Sequence, residues 1–160
     1  MGNSHSNPEN IESEINSCFV SLIDNISVIQ YQVGPCDMFW QQHERQRDEC
    51  IGIINTSHKA FNSKTDVENI TNKYLIPLIQ KINNLPIYTN IYFDNKKTSI
   101  KETKKLSSLI DQYIELQKQK QDRMQSLENE NNELKKTISQ MAVHQNPPMN
   151  PYASAPPYDK

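Results

Sequence analysis

Apolar side chains recur at intervals of three and four along most of the first 84 residues, which is the spacing of one face of an α-helix. This pattern and its breaks predict three successive amphipathic helices, at about 8–33, 37–62 and 66–84. Within the third pattern lies Pro77, which removes a backbone donor and clashes with the carbonyl four residues earlier. We therefore expect a kink or a restart near Tyr74. Residues 8–84 together are predicted to form a helical assembly region.

Beyond this region the pattern changes twice. Residues 85–97 alternate apolar and polar side chains, but a lone strand would lack a partner, so we expect an extended connector. From 98 to 142 the chain has no Gly or Pro and is rich in Lys, Glu, Gln and Leu, which predicts one long helix. Its heptad repeat is typical of a coiled coil. The predicted seam contains Leu106, Ile110, Tyr113, Met124, Leu127, Asn131, Leu134 and Ile138.

Polar residues within the heptads indicate how this coiled coil would pair. Asn131 occupies an a position, where two facing amides hydrogen-bond in one register only. Arg123 and Glu130 occupy g positions, and Glu128 and Lys135 occupy the e positions that follow. Both g-to-e pairs have opposite charge in a parallel partner, which favours parallel pairing between chains. The alternative is a single helix folded back on its own domain.

Residues 143–160 are polar and contain five prolines, a density that prevents a packed core and predicts a disordered tail. The tail nearly matches two peptide motifs of membrane budding. The segment Ala153-Ser154-Ala155-Pro156 lacks the leading Pro of P-S-A-P, and Pro156-Pro157-Tyr158 lacks the spacer of P-P-x-Y. Recognition of the tail as a polyproline helix by an aromatic groove stays open beside a plain disordered tail.

The first residues fit the pattern for N-myristoylation, with Gly2 exposed after removal of Met1 and a hydroxyl at Ser6. We expect residues 1–7 to be a flexible arm that carries the lipid on Gly2. A single myristoyl chain binds membranes only marginally and reversibly, so a second anchor is needed. Palmitoylation of Cys18 is one option, but its place on the apolar face of the first helix favours a buried thiol. A partner or an oligomer is the favoured second anchor.

Composition restricts the class of protein. The hydrophobic content is 35% and the mean hydropathy is -0.79, which suit elongated helices better than a large compact core. The net charge of -2 provides no global basic field for nucleic acid. An odd number of cysteines without CxxC spacing argues for reduced thiols in the cytosol. No signal peptide or membrane-spanning stretch is apparent, so we expect an all-α, elongated, peripheral membrane protein.

Catalytic and metal-binding patterns are lacking in the sequence. With three glycines in all, tight phosphate-binding loops are hard to build. Cys36, His43 and Cys50 are seven residues apart, about 10 Å along one helix, which is too far to close a metal site. We therefore expect no enzyme activity, no cofactor and no metal. The chain's one basic cluster is predicted either to be a solvated helix start or to meet anionic lipid, and it contains Lys96, Lys97, Lys101, Lys104 and Lys105.

Two segments resemble a known family. The run Phe39-Trp40-Gln41-Gln42-His43-Glu44-Arg45-Gln46-Arg47 resembles the aromatic, Gln and Glu-Arg-Gln run of the myrlysin family, the myristoylated subunits of BORC, a lysosome-positioning complex. The run from Ile76 to Pro86 is similar to that family's Pro-Leu-aliphatic, Leu-Asn and Leu-Pro segment. Gly2 lies where the family carries its lipid. The resemblance covers residues 37–88, about a third of the chain. The expected assembly anchors are Phe39, Trp40, Leu78, Ile82 and Leu85.

The resemblance implies a non-enzymatic scaffold that assembles with other small helical subunits on the cytosolic face of lysosomes or late endosomes. There the complex would recruit an Arf-like small GTPase and, through it, a kinesin motor. The sequence departs from the family in its short arm after Gly2, its coiled coil and its Pro/Tyr tail. Two alternatives remain. One is a myristoylated adaptor of membrane budding that uses the tail, and the other is a self-assembling, matrix-like structural protein.

Overall fold

The computed structural model describes residues 8–31, 40–87 and 89–145. Within these ranges the chain is all-α and contains no strand, so the all-α class and the presence of a long C-terminal helix are confirmed. Gly2, Phe39 and residues 146–160 of the predicted tail lie outside the described residues. The α-helices are α1 (Pro8–Ser27), α2 (Trp40–Asn62), α3 (Ile76–Asn83) and α4 (Phe93–Gln145).

Three helix boundaries differ from those expected. α4 continues to Gln145 rather than ending at residue 142, so residues 143–145 of the predicted disordered tail are helical. α1 ends at Ser27 rather than near residue 33, although Ile29 and Tyr31 beyond its end remain buried. α4 begins at Phe93, after a short 3-10 helix at Asn90–Tyr92, so the last residues of the predicted connector belong to the long helix. The alternating pattern there was misleading because Ile91 and Phe93 are exposed rather than packed on one face.

The third predicted helix is irregular before its proline. A 3-10 helix at Val67–Asn69 is followed by a π-helix at Thr71–Leu75, and α3 then begins at Ile76. Pro77 therefore occupies the first turn of an α-helix, where its missing N–H needs no intrahelical partner. The backbone stays helical through Leu75 and Ile76, so the proline is accommodated by a π-helical turn and not by the expected kink or restart.

Residues at the end of α2 form a tight turn without glycine. The N–H of Thr65 donates to the carbonyl of Ala60 over 2.9 Å, and that of Lys64 donates to Phe61 over 3.1 Å. This is the paired hydrogen bonding of a Schellman motif. Lys64 accordingly takes the left-handed conformation, with φ 57°.

Side-chain contacts show that neighbouring helices run in opposite directions. His58 of α2 meets Asn16 of α1, while Arg47, earlier in α2, donates to the carbonyl of Ile29, beyond the end of α1. α1 and α2 are therefore antiparallel. Asn95 of α4 donates to Asn25 over 3.1 Å, and Cys18 lies beside Glu102 farther along α4, so α1 and α4 are antiparallel too.

The same holds for α3. Lys81 of α3 pairs with Glu49 of α2, whereas Tyr74, before α3, shares a groove with Thr56, later in α2. Lys96 of α4 meets the carbonyl of Asn83 at the end of α3, and Ser107 donates to Thr71 ahead of it. The result is an up-and-down four-helix bundle built from α1, α2, the helical stretch 67–83 and the first part of α4.

One hydrophobic core fills this bundle. It draws on all four helical stretches and contains Ile11, Ile15, Cys18, Phe19, Leu22, Ile26, Cys50, Ile54, Phe61, Ile70, Leu75, Leu78, Ile82, Leu85, Leu106, Leu109, Ile110 and Tyr113. Three hydroxyl side chains are also buried, and each donates to a carbonyl of its own helix: Ser57 to Ile53, Ser99 to Asn95 and Thr103 to Ser99. The core therefore contains these polar groups without leaving them unpaired.

The chain divides into two compact units at Gln117. The first holds the bundle. The second begins at Lys118 and, as far as the structure describes it, consists of the remaining turns of α4 up to Gln145.

Candidate functional site

Three of the expected assembly anchors lie in the core of the chain itself. Leu78, Ile82 and Leu85 are all almost fully buried in the bundle, and Trp40 is half-buried at the start of α2. Leu78, Ile82 and Leu85 are already covered within the chain and offer no free surface to a partner. The prediction of 8–84 as an assembly region is therefore corrected: its helices bury their apolar faces against one another and against α4.

The prediction of a coiled-coil seam is also corrected over the first part of α4. Leu106, Ile110 and Tyr113 lie in the bundle core, and the ring of Tyr113 packs edge-on against Phe61 of α2 at 5.1 Å between centroids. The helix folds back on its own domain here, as the alternative held. Bundle cores and coiled coils repeat apolar residues at nearly the same interval, so the spacing does not distinguish them.

From Lys118 onward the seam is exposed. Every side chain from Lys118 to Ala142 is exposed in the chain alone. The apolar members of the repeat are between 53% and 63% exposed, and they are Met124, Leu127, Leu134, Ile138 and Met141. Asn131 lies among them. We call these six residues the α4 stripe; it is an apolar helix face with one central amide and no partner within the described chain.

Gln46, in the first of the two runs that resemble the myrlysin family, lies close to Lys81 and Asn84 in the second. Gln46 and Glu49 of α2 line a small cleft of about 110 Å³ with Lys81 and Asn84, at the end of α3. Lys81 Nζ lies 3.5 Å from Glu49 Oε1 across it. A larger, shallow groove of about 410 Å³ continues along α2 and includes Gly52, where an added Cβ would meet nothing within 4 Å.

The interface between α1 and α2 contains a histidine that the sequence did not single out. The His58 ring stacks on Phe19 at 4.4 Å between centroids, and its Nε2 lies 2.7 Å from Asn16 Oδ1. Burial lowers the pKa of His58 below its ordinary value. The neutral ring donates its Nε2 proton to the amide oxygen. No short motif marks this contact, because Asn16 and His58 meet only once the helices pack.

Two lysines also have structural roles that sequence reasoning missed. Lys64 Nζ lies 4.3 Å from the Phe61 ring centroid and 5.2 Å from that of Tyr113, and it pairs with Glu12. Lys96 Nζ donates to the carbonyls of Asn83 and Leu85, over 2.9 and 2.8 Å. Burial lowers the pKa of Lys96. Lys96 therefore holds the C-terminal end of α3 against α4.

Both described cysteines are buried, so the expectation that Cys18 is a core thiol is confirmed. Burial, together with the nearby Glu102 carboxylate, raises the pKa of Cys18 to about 11. Burial raises that of Cys50 to about 11 as well. In the described ranges no three His, Cys, Asp or Glu side chains come close enough together to hold a metal ion.

Comparison of the chain with protein-family models, with curated proteins and with solved structures finds no match. None of the described helices is long and apolar enough to cross a membrane. The class of the protein is therefore defined by its fold: an all-α chain with an up-and-down bundle and an exposed amphipathic segment in the last part of α4.

Proposed function

We propose that this chain is a non-enzymatic, N-myristoylated scaffold subunit of a hetero-oligomer on the cytosolic face of lysosomes or late endosomes. One observation carries the proposal, namely the α4 stripe. Apolar side chains on an exposed helix face are an established mode of helix pairing, and the heptad spacing fits a coiled-coil partner. The lipid on Gly2 and the place of assembly come from the sequence pattern and from the resemblance to the myrlysin family.

In this arrangement the two units of the chain have different roles. The bundle forms its own core and needs no partner to do so. Assembly is then the task of the second unit, where Leu127 and Leu134 flank Asn131 on the stripe. The cleft lined by Gln46, Glu49, Lys81 and Asn84, where the two resembling runs come close, offers a second, polar surface to other subunits. The complex would recruit an Arf-like small GTPase and, through it, a motor for lysosome transport.

The test is affinity purification of a C-terminally tagged copy from its own cells, with mass spectrometry of the partners and of the N-terminal peptide. A myristoyl mass on Gly2 and several small helical proteins of a lysosome-positioning complex are expected. Recovery of budding machinery would instead support the adaptor alternative, and deletion of residues 147–160 would then abolish function.

A matched pair of variants tests the stripe itself. Leu127→Glu with Leu134→Glu places two carboxylates on the stripe, whereas Ser126→Glu with Asn132→Glu places two on other faces of the same helix. We expect the first pair to lose the co-purifying subunits and the second to keep them. Partners retained by the first pair would overturn the assignment of assembly to the stripe.

Self-assembly is a second candidate, because the stripe is complementary to a second copy of itself. Arg123 with Glu128 and Glu130 with Lys135 are of opposite charge across a parallel pair, and two Asn131 amides face each other. Light scattering on the purified full-length chain separates the two candidates. A defined dimer or larger oligomer of the chain alone supports self-assembly, whereas a monomer that gains mass only with partners supports the heteromer.

A further inference from the structure

A strongly basic face lies on the exposed side of α4, in the part of that helix that belongs to the bundle. It consists of Lys97, Lys101, Lys104 and Lys105, all of them exposed; we call it the lysine face. At the angular spacing of an α-helix these four positions fall within about 100° of one another. Four buried residues of the same turns, Ser99, Thr103, Leu106 and Ile110, lie on the opposite side of α4, and the buried Leu109 lies beside the edge of the lysine face.

Lys96 belongs to the basic cluster of the sequence but not to the lysine face. Lys96 is tied to the carbonyls of Asn83 and Leu85 and serves the bundle. The other four have no such contact to another helix apart from Lys105, whose charge lies near Cys18 on α1. One exposed carboxylate, Asp94, falls in the same angular sector at the beginning of the helix, where the four lysines outnumber it. The face is therefore a local positive region on a chain whose net charge is -2.

Exposed apolar side chains lie at one end of the lysine face. Phe93 is 52% exposed, and Lys97 Nζ lies 5.4 Å from its ring centroid, so the two side chains share a face. Ile91, just before α4, is 71% exposed. Aromatic and aliphatic side chains next to lysines are the combination by which helices lie on a membrane surface, with the apolar groups at the boundary of the acyl chains.

The beginning of α1 lies near the turns of α4 that follow the lysine face. Glu12, near the start of α1, pairs with Lys64, and Lys64 also contacts Tyr113 of α4. Tyr113 is about 12 Å along the helix from Lys105. The chain from Gly2 to Pro8 can extend by at most about 20 Å. A lipid on Gly2 and the lysine face can therefore reach the same membrane surface.

We propose that the lysine face, together with Phe93 and Ile91, binds an anionic membrane surface and is the second anchor that a single myristoyl chain requires. The proposal rests on the proposed function in one respect, the lipid on Gly2. Lysines near an anionic leaflet each add to the attraction, which falls off within a Debye length. Since the whole chain is slightly acidic, this attraction acts only when the face is turned toward the membrane.

The experiment measures vesicle co-flotation of the full-length protein, myristoylated by co-expression with an N-myristoyltransferase. Neutral phosphatidylcholine vesicles are compared with vesicles that also contain phosphatidylserine. The test variant carries Gln in place of all four lysines of the face. Its matched control also loses four exposed lysines, on other surfaces, and carries Lys59→Gln, Lys73→Gln, Lys118→Gln and Lys136→Gln. Circular dichroism verifies that both variants keep their helices.

We expect the unaltered protein to partition onto anionic vesicles ~10-fold or more better than onto neutral ones, and the difference to shrink as salt is raised. The test variant should lose this difference and the matched control should keep most of it. Phe93→Ala should weaken partition onto both kinds of vesicle.

Other outcomes separate the inference from the proposed function. If all proteins partition equally onto both kinds of vesicle, the proposed binding of the lysine face to anionic lipid is wrong, but the lipid anchor on Gly2 remains supported. Equal loss in the test variant and the matched control would show a nonspecific charge effect, and would also overturn it. Failure of the myristoylated protein to bind either vesicle would overturn the lipid anchor and the inference together.

Discussion

Lys64 is held in a backbone conformation that non-glycine residues seldom adopt. Its left-handed φ costs an L-residue roughly 1–2 kcal/mol. The side chain offsets this cost through the Phe61 and Tyr113 rings and through the ion pair with Glu12. Each such contact at a partly exposed site contributes at most about 1 kcal/mol. The turn after α2 is therefore held as much by side chains from three helices as by its own hydrogen bonds.

Two substitutions at Lys64 separate the backbone from the side chain. Lys64→Ala keeps the strained conformation and removes the contacts, so it should lower the free energy of unfolding by about 1–2 kcal/mol. Lys64→Gly removes the same contacts and relieves the strain, so it should be about 1 kcal/mol more stable than the alanine variant. Urea denaturation measures both, and an alanine variant as stable as the glycine one would contradict the strain.

His58 makes the stability of the bundle depend on pH. Burial lowers the pKa of the folded histidine, whereas the unfolded chain takes up the proton near its ordinary value of 6.5. Protonation as the pH falls therefore favours the unfolded chain. The stabilisation by the neutral ring is complete above the unfolded pKa and is lost progressively below it.

The measurement for His58 is the urea midpoint at pH 7.5 and at pH 5.5. The unaltered protein should lose stability between these values, because burial disfavours the charged form of the His58 ring. His58→Gln removes the titrating group, so its midpoint should fall less over the same interval. An equal fall in both proteins would assign the pH dependence to other groups.

At the scale of elements, Lys96 joins α3 to α4. Replacing it by Met removes two charge-assisted hydrogen bonds to the end of α3, each worth roughly 1–3 kcal/mol. We expect Lys96→Met to destabilise the bundle by about 2 kcal/mol. Lys97→Met is the matched control, since Lys97 contacts only the Phe93 ring of its own helix. Thermal unfolding of the two variants tests this prediction. Equal melting temperatures would show that the hydrogen bonds of Lys96 to the end of α3 do not stabilise the bundle.

The elements could be predicted from the sequence to different degrees. α1 and α2 follow from helical periodicity because each buries one continuous face, whereas α4 follows from its heptads and from the long run without Gly or Pro. The π-helical turn at Thr71–Leu75 does not follow, since only the proline was visible and the backbone could answer it with a kink, a restart or a wider turn. The early start of α4 was missed because Ile91 and Phe93 imitate a strand while lying exposed.

At the scale of the whole molecule, the core ends before the described part of α4 does. Among the described residues the buried core ends at Tyr113, Ile114 and Leu116 pack against it, and the first unit ends at Gln117. A chain truncated after Gln117 should therefore fold, be a monomer, and melt within about 4 °C of the full-length chain, since a change of that size corresponds to about 1 kcal/mol. Light scattering and thermal unfolding test this. A truncated chain that aggregates or loses its helices would show that the bundle depends on the second unit.

The sequence could not predict where along α4 the heptad positions change from buried in the bundle to exposed on the stripe. Leu106 and Leu134 occupy the same heptad position in the same long helix, yet one lies in the core and the other is 59% exposed. Only the presence or absence of α1 and α3 beside them decides this. Likewise the lysine cluster could be seen in the sequence, but the separate role of Lys96 depends on where α3 ends.

The two buried thiols allow the opening of the bundle to be measured by chemical labelling. At neutral pH neither Cys18 nor Cys50 is ionised, so an alkylating reagent should modify them only when the helices around them separate. Cys18 lies beside Glu102 of α4, and Cys50 lies near Lys81 of α3. In a Cys36→Ser background, equal labelling rates would mean that the bundle opens as one cooperative unit. Faster labelling of Cys18 would mean that α1 detaches first, and with it the part of the chain that leads to Gly2.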